Sequence, residues 1–357
     1  SINTTIINIL RVNNIVKNRF IRNDINFFKR TQLPGGIISS TSQIATFMTT
    51  TNIPYSPKNH NLNFQNTMNV SSISSIPGVD RSIFPMIQGH RGAPLVEPEN
   101  TIAAFQHAAH SGANSVELDV FLSKDNELVV FHGGRSAKNP KEVGNLGAHT
   151  TSDDNIQNLT LEEMRRLEFV NDTFACPNEK MNGFYIPTLK ETLEEVIIKN
   201  NMHVTIELKG STTPKPLVAL LDTMKGELDL EKQVTISSFN HDLLRQVKEL
   251  NPAIHIATLF GRDIDNCAEV AKKFNATEIH LNFKLVTKKI VDELHHDGFI
   301  VMAWFNTPGS MTDDQEEAYF LHLLNAGVDT ICTNAPDVLA SKKNKLIEEY
   351  KRVLPKI

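Results

Sequence analysis

Residues 115–121 read Ser-Val-Glu-Leu-Asp-Val-Phe, and this stretch decides how the chain folds. Three aliphatic residues alternate with Glu117 and Asp119, and strict alternation of apolar and polar residues predicts a β-strand. Its aliphatic side packs on a hydrophobic layer, while the two acids lie together on the other side. Because two carboxylates on an apolar strand are costly to bury without a cation, the stretch also predicts a charged site.

From about residue 84 the chain repeats this pattern, with short strands separated by amphipathic helices. The predicted strands are Met86–Gly89, Ser115–Phe121, Leu128–His132, His203–Lys209, Gln233–Phe239, His255–Phe260, Glu278–Phe283, Phe299–Phe305 and Val328–Thr333. The predicted helices are Asn100–Ser111, Pro187–Lys199, Asp242–Leu250, Val286–His296 and Asp313–Asn325, and glycines at 112, 298 and 327 are expected to stop three of them.

Alternation of β and α over about 270 residues predicts a (β/α)8 TIM barrel, which typically takes about 250 residues. Nine predicted strands exceed the eight places of the barrel, and we expect Leu128–His132 to be the extra one, as an insertion or a hairpin arm. A doubly wound sheet is disfavoured because no Gly-x-Gly-x-x-Gly turn follows the first strand.

The first 84 residues differ in composition from the rest of the chain. They hold eight Lys or Arg and two Asp, a net charge of +6. Since the whole chain has a net charge of −5, the remaining residues carry −11. A basic, acid-poor, hydroxyl-rich start predicts either a disordered extension or a mitochondrial transit peptide; without import the protein would be cytoplasmic. We therefore predict an extension at 1–84, the barrel at 85–345 and a C-terminal helical tail at 346–357.

Composition excludes several classes of protein. The overall negative charge disfavours a general nucleic-acid binder, and no apolar run is long enough to span a membrane. The three cysteines, Cys176, Cys267 and Cys332, lie far apart, which argues against a zinc ribbon or a disulfide scaffold. The sequence gives no indication of the oligomeric state.

A second predicted strand carries the same kind of site. In His203–Lys209, Glu207 and Lys209 lie on the side opposite the aliphatic residues, so a third carboxylate and a cation join Glu117 and Asp119. Three oxygen ligands suit Mg²⁺ or Ca²⁺ better than zinc. The alternative is a set of internal salt bridges, for instance Glu207 with Arg91.

Two histidines follow predicted strands directly and are flanked by glycine. His90 begins His-Arg-Gly after the first strand, and His132 precedes Gly133. The carboxyl ends of barrel strands face the active-site mouth, so the two imidazoles could form an acid/base pair, and Arg91 could hold a phosphate. The other eleven histidines have no such placement.

Together these residues resemble the glycerophosphodiester phosphodiesterase family across nearly all of residues 86–340. The matching motifs are His90-Arg91-Gly92, Pro98-Glu99-Asn100-Thr101, Glu117-Leu118-Asp119-Val120, Val129-Val130-Phe131-His132, Ile186-Pro187-Thr188-Leu189, Glu207-Leu208-Lys209, Ser238-Phe239, Trp304-Phe305-Asn306 and Gly327-Val328-Asp329-Thr330. The resemblance implies a TIM barrel that hydrolyses glycerophosphodiesters to sn-glycerol 3-phosphate and an alcohol with one divalent cation.

The resemblance also implies a role for each matching residue. His90 and His132 would be the general acid/base pair. The metal ligands would be Glu117, Asp119 and Glu207. Arg91 and Lys209 would contact the phosphate, and Trp304 would wall the pocket or pack in the barrel core. We interpret Asn100 as a helix N-cap.

Three positions depart from the family pattern. The usual Asp after the second histidine is Gly133, the usual Asp after the late threonine is Asn334, and the first acid after Thr188-Leu189 is Lys190. An insertion-like stretch, Gly134–His149, follows Gly133, and Asp153 or Asp154 could replace the missing Asp. Two alternatives remain: a lysophospholipase D on the same barrel, and a non-catalytic binding protein, which only Gly133 favours.

Overall fold

The computed structural model describes residues 84–135, 143–170, 180–181, 183–210, 213–305 and 313–353. Its strands are β1 (Met86–His90), β2 (Ser115–Leu122), β3 (Leu128–Val130), β4 (Gly134–Arg135), β5 (Val143–Asn145), β6 (Phe169–Val170), β7 (Lys180–Met181), β8 (His203–Leu208), β9 (Val234–Ser238), β10 (His255–Phe260), β11 (Glu278–Asn282), β12 (Ile300–Phe305) and β13 (Thr330–Thr333). Its α-helices are α1 (Ile102–His110), α2 (Leu161–Arg165), α3 (Leu189–Leu193), α4 (Pro214–Thr223), α5 (Leu230–Gln233), α6 (His241–Leu250), α7 (Cys267–Lys273), α8 (Lys288–His296), α9 (Asp313–Ala326) and α10 (Pro336–Val353).

Eight parallel strands close into a barrel, in the order β1, β2, β8, β9, β10, β11, β12 and β13. Closure is made by β1, which pairs with β13 on one side and with β2 on the other. The aliphatic residues of β2 that the sequence assigned to the core, Val116, Leu118 and Val120, are fully buried. The predicted TIM barrel is therefore confirmed.

The ninth predicted strand lies outside the barrel. Strand β3 pairs with β2 in antiparallel register, Val120 opposite Val130 and Leu122 opposite Leu128, so it forms a hairpin with β2. This confirms the expectation that the stretch from Leu128 is the extra strand. The hairpin brings Phe131 beside Asp119, whose carbonyl accepts the Phe131 N–H at 3.0 Å, and His132 follows directly.

Local sequence explains where the helices begin and end. Helix α3 starts with a capping box, in which Thr188 and Glu191 each bond the other's backbone amide, and a π-helix, Glu194–Lys199, follows it directly. Gly298 and Gly327 follow α8 and α9 with φ of +87° and +85°, the left-handed conformation that glycine favours after a helix.

One helix boundary differs from the prediction. Thr101, not Asn100, is the N-cap of α1, since its hydroxyl accepts the Ala104 backbone amide at 3.3 Å. Asn100 precedes the cap with φ +57°, and its amide group faces strand β2 instead. The N-cap prediction for Asn100 was wrong because the two adjacent residues have similar capping preference and Asn100 is engaged elsewhere.

The ends of the chain bear on three predictions. Residues 1–83 lie outside the described residues, so the extension and its organelle address stay predictions. Helix α10 is continuous across residues 345 and 346, and Leu346 is buried in the core, so the predicted tail begins as the second half of this helix. Among the described residues, no helix has the length and apolar character needed to cross a membrane.

Candidate active site

The predicted site residues gather at the carboxyl ends of the barrel strands. His90 is the last residue of β1 and stands opposite Glu117 in the β1–β2 register. Asp119 stands opposite Glu207 in the β2–β8 register. The pairing of three neighbouring strands therefore brings an imidazole and three carboxylates to one end of the barrel, where TIM-barrel active sites lie.

The three predicted ligand carboxylates form one buried cluster. One oxygen of each of Glu117, Asp119 and Glu207 lies within 4.8 Å of the other two, and all three residues are buried. Burial, together with the neighbouring charges of Asp119 and Glu207, raises the pKa of Glu117 well above its usual value. Burial and two neighbouring carboxylates therefore both disfavour the charged form of Glu117.

Two cations lie against this cluster. Lys209 Nζ lies 3.1 Å from Asp119 Oδ1 and also pairs with Glu207, and Arg91 Nε lies 3.1 Å from Asp119 Oδ2. Although burial acts in the opposite direction, Lys209 and Arg91 hold the pKa of Asp119 well below its usual value. Among the described residues Glu207 pairs with Lys209 rather than with Arg91, unlike the salt bridge considered from sequence.

The His-Arg-Gly turn fixes Arg91 in an uncommon conformation. Arg91 has φ +56°, and its backbone N–H donates to Glu117 Oε2 at 3.1 Å. Gly92 follows with φ +89°, and a Cβ there would lie 2.6 Å from the backbone of Ala104 in α1. The turn therefore packs directly on helix α1, and this contact is possible only with glycine.

His90 is oriented by a residue that the sequence marked only as a departure. Its Nδ1 lies 2.5 Å from Asn334 Oδ1, and its Nε2 lies 3.8 Å from Glu117 Oε2. Because the amide oxygen accepts, Nδ1 carries the proton and Nε2 has a free lone pair in the neutral ring. Burial, with Arg91 beside it, lowers the pKa of His90 to about 3.

His132 is largely buried beside the same charges, but no described residue hydrogen-bonds to its ring. Burial lowers the pKa of His132 to about 4, partly opposed by the negative charge of Asp119. Asp153 and Asp154, the two acids considered as substitutes, bond within their own loop: Asp153 accepts from Asn145, and Asp154 accepts from Asn158.

The packing around residue 133 explains why glycine stands where the family usually has aspartate. It has φ +70°, and a Cβ there would lie 2.6 Å from the Cα of Gly144 and 2.8 Å from its carbonyl carbon. Gly144 belongs to β5, the strand that pairs with β4. The hairpin of β4 and β5 thus packs so closely on residue 133 that no side chain fits there.

Glu99 and Asn100 lie in the site although the sequence was interpreted mainly as a helix start there. Glu99 binds Arg91 Nη1 with both oxygens at 3.0 Å. Asn100 donates to Asp119 Oδ2 at 3.0 Å and accepts the Asp119 backbone N–H at 3.3 Å. Both residues belong to the Pro-Glu-Asn-Thr motif, and this motif was the sequence feature from which their place in the site could have been predicted.

His149 is a third histidine near the site, although it does not directly follow a barrel strand as His90 does. It belongs to the insertion loop, residues 134–160, and its Nε2 lies 3.1 Å from Glu99 Oε1. Its ring also meets Phe131, the neighbour of His132, edge-on at 5.7 Å between centroids. No local sequence pattern indicated this placement.

Trp304 lies near the carboxyl end of β12 and is half-buried. Its ring contacts Phe239 edge-on at 5.9 Å, and Phe239 is 49% exposed. Lys209 Nζ lies 6.0 Å from the centroid of the Phe239 ring. Phe239 therefore connects Trp304 with the charged cluster, and the role of Trp304 as a pocket wall stays a prediction.

The residues present fit a divalent cation. The site holds four buried or nearly buried carboxylates, those of the three clustered acids and of Glu99. Among the described residues, only two permanent cations, Arg91 and Lys209, lie against them. Carboxylate oxygens are the ligands that Mg²⁺ and Ca²⁺ prefer, and a divalent ion would supply the positive charge that this pocket lacks. The cluster could therefore bind a metal ion.

Fold and site together define a barrel hydrolase with an acidic cluster, imidazoles and anion-binding cations at the carboxyl ends of its strands. Residues 90–338 match the model of the glycerophosphoryl diester phosphodiesterase family. The chain is 32% identical over 262 residues to a glycerophosphodiester phosphodiesterase of Caldanaerobacter subterraneus subsp. tengcongensis, covering 73% of this chain and 98% of that one. It is also 32% identical over 270 residues to that of Bacillus altitudinis, covering 74% and 99%.

Solved structures agree with the sequence matches. A crystal structure from Galdieria sulphuraria, assigned to the same phosphodiesterases, has 28% identity and a TM-score of 0.60, covering 74% of this chain and 98% of that one. The fold also matches an Oleispira antarctica phosphodiesterase in complex with its product sn-glycerol-3-phosphate, with 24% identity and a TM-score of 0.61 over 73% and 97%. The chain therefore belongs to the glycerophosphoryl diester phosphodiesterase family and is an enzyme, a phosphoric diester hydrolase.

Proposed function

We propose that this enzyme hydrolyses glycerophosphodiesters to sn-glycerol 3-phosphate and an alcohol, with one Mg²⁺ or Ca²⁺ held by Glu117, Asp119 and Glu207. The observation that carries the proposal is the buried carboxylate cluster, with one oxygen of each acid within 4.8 Å of the others, beside an imidazole and two cations. When bound, the metal ion supplies charge stabilisation to the phosphate oxygens.

The cations of the chain bind and orient the phosphate. Arg91 is clamped by Glu99 through Nη1 and by Asp119 through Nε, and no described residue bonds its Nη2. A phosphate oxygen therefore has a donor available on the guanidinium without displacing either carboxylate. Lys209 stands on the opposite side of Asp119 and neutralises charge as a point cation.

The two imidazoles move the protons. His90 has its Nδ1 proton fixed by Asn334 and a low pKa, so Nε2 is the general base that takes a proton from the nucleophile. His132 is the general acid that protonates the leaving alkoxide as the P–O bond breaks. The negative charge of a bound phosphodiester raises the pKa of His132 and favours its protonated form. The nucleophile is water, or the glycerol 2-hydroxyl with water then opening a cyclic phosphate.

The test is release of sn-glycerol 3-phosphate from glycerophosphocholine by the full chain, with Mg²⁺ or Ca²⁺ added and again with chelator. Release that requires the metal supports the proposal. Lysophosphatidylcholine is the second substrate, and turnover of it alone would instead assign a lysophospholipase D. No metal-dependent release from either substrate, with the protein folded, would refute both.

Variants separate the metal site from the imidazoles. Glu117→Gln should weaken metal binding in calorimetry, with the exposed Glu231→Gln as the matched control that leaves it unchanged. His90→Asn should retain metal binding but lower kcat by about 10²–10⁴, the usual contribution of one proton transfer. Full activity in His90→Asn would contradict the assigned role.

A further inference from the structure

The insertion loop brings a histidine whose contacts the hydrolytic mechanism does not use. His149 pairs with Glu99 at 3.1 Å, and only 14% of its side chain is exposed. Its backbone is fixed on both sides, because its N–H donates to Leu146 O at 3.1 Å and its carbonyl accepts from Val170 at 2.9 Å. The imidazole is therefore held in place by the backbone hydrogen bonds of its residue and by its contact with Glu99.

The ring lies close to the proposed phosphate position. Glu99 Oε1 is 3.0 Å from Arg91 Nη1 and 3.1 Å from His149 Nε2, so these two nitrogens are about 6 Å apart at most. The ring also meets Phe131, which precedes His132. His149 thus contacts both the carboxylate that binds Arg91 and the segment that carries the second histidine.

One nitrogen of the ring remains available for a ligand. Glu99 is ionised, since Arg91 and His149 hold the pKa of its carboxyl well below the usual value against the effect of burial. An ionised carboxylate only accepts, so Nε2 carries a proton, and Nδ1 of the neutral ring is an acceptor. No described residue hydrogen-bonds to Nδ1. A hydroxyl group is its fitting partner, because a hydroxyl can donate to the neutral ring or accept from the protonated one.

The loop that carries His149 is the loop that excludes a side chain at residue 133. Gly144 of the insertion loop occupies the space beside Gly133, and Leu146 and Ile156 of the same loop are buried against Phe121 and Phe131. The same packed segment that leaves no room for a side chain at residue 133 adds an imidazole, which pairs with Glu99. The exchange makes His149 part of the site rather than a surface residue.

We propose that His149 Nδ1 binds a hydroxyl of the glycerol moiety and so selects glycerol-bearing phosphodiesters. The inference rests on the proposed function, because it takes the phosphate to lie at Arg91. The glycerol hydroxyls are attached to that phosphate through the ester carbon, which places them beside the guanidinium and within reach of the neighbouring ring.

The test compares two monoesters by calorimetry on the full chain loaded with Mg²⁺: sn-glycerol 3-phosphate, and methyl phosphate, which lacks the hydroxyls. His149→Ala should weaken binding of sn-glycerol 3-phosphate by about 3- to 10-fold, the usual effect of losing one neutral hydrogen bond. Binding of methyl phosphate should stay within about twofold, within the scatter of such contributions. His296→Gln, an exposed histidine on α8, is the control that changes neither.

A second variant separates direct contact from an effect through Glu99. In His149→Gln the amide nitrogen replaces Nε2 as donor to Glu99, but nothing replaces Nδ1 in its position. The variant should bind methyl phosphate normally and still bind sn-glycerol 3-phosphate weakly. Full recovery in His149→Gln, an equal loss for both ligands, or no loss in His149→Ala would each overturn the inference.

The kinetic readout keeps the two proposals apart. With glycerophosphocholine, His149→Ala should raise KM more than it lowers kcat, because the contact is made in the bound substrate. If the wild type releases no sn-glycerol 3-phosphate, the proposed function fails. If the wild type is active and the variants bind both ligands as it does, only the role of His149 fails.

Discussion

Gly133 is a position at which one added methyl group should be costly. We predict that Gly133→Ala destabilises the folded protein by about 2–5 kcal/mol. The left-handed φ of +70° costs a non-glycine residue about 1–2 kcal/mol. The new Cβ would lie 2.6 Å from Gly144 Cα, and overlap of this kind in a packed region adds about 1–3 kcal/mol.

Urea unfolding followed by circular dichroism measures this cost, and Gly298→Ala provides the matched control. Gly298 has φ +87° but no heavy atom within 4 Å of the position of its Cβ, so its substitution costs only the backbone strain. Gly133→Ala should therefore be the less stable variant by about 1–3 kcal/mol. Equal stability of the two variants would refute the packing argument.

The same reasoning applies to restoring the family's residue. Gly133→Asp carries a larger side chain into the same gap, so it should displace the β4–β5 hairpin and the insertion loop with it. We expect lower stability and lower activity than in Gly133→Ala, measured by the same unfolding and hydrolysis assays. An increase in activity with unchanged stability would show that the β4–β5 hairpin can move to accommodate the side chain, and that the absence of an aspartate at residue 133 limits the rate.

Three further predictions concern residues that hold the site. Asn100→Ala removes the amide bonded to Asp119 and should weaken Mg²⁺ binding about 10- to 100-fold by calorimetry, as loss of an orienting partner does. Asn334→Leu removes the acceptor of His90 and should lower kcat by up to about 10²–10⁴ at nearly unchanged KM, whereas Asn334→Asp keeps the acceptor and most of the rate. In the metal-free protein, folding lowers the pKa of His132 from 6.5 to about 4. Between these pH values the unfolded state therefore binds more protons than the folded state, and stability falls as pH drops. His132→Asn should therefore reduce the slope of unfolding free energy against pH, between pH 6.5 and 5, by up to about 1.4 kcal/mol per unit; an unchanged slope would contradict the lowered pKa.

The barrel could be predicted from the sequence because its signals are periodic and local. Alternation in Ser115–Phe121 and His203–Lys209 gave both the strands and the side of each on which the acids lie. Since the strands are parallel and in register, acids near strand ends had to converge. The clustering of Glu117, Asp119 and Glu207 followed from pattern and topology alone.

The parts of the site that were missed depend on contacts between distant segments. Asn100 and Thr101 have similar preferences for the helix N-cap. Only the hydrogen bonds of Asn100 to Asp119 show that Asn100 belongs to the site and Thr101 is the cap. Asn334 is 244 residues from His90 in sequence, and its oxygen serves as acceptor only once β1 and β13 pair. His149 lies in an irregular loop, where no periodicity fixes the direction of a side chain.

Gly133 was the one sequence feature that favoured a decayed, non-catalytic barrel, and the structure gives it a different cause. A decayed site would lose a polar group and gain nothing in its place. Here the glycine is required by the close approach of Gly144, and the same loop adds His149 on Glu99, next to Arg91. The departure from the family pattern therefore coincides with a packed loop whose His149 contacts Glu99, the partner of Arg91, and Phe131, the neighbour of His132.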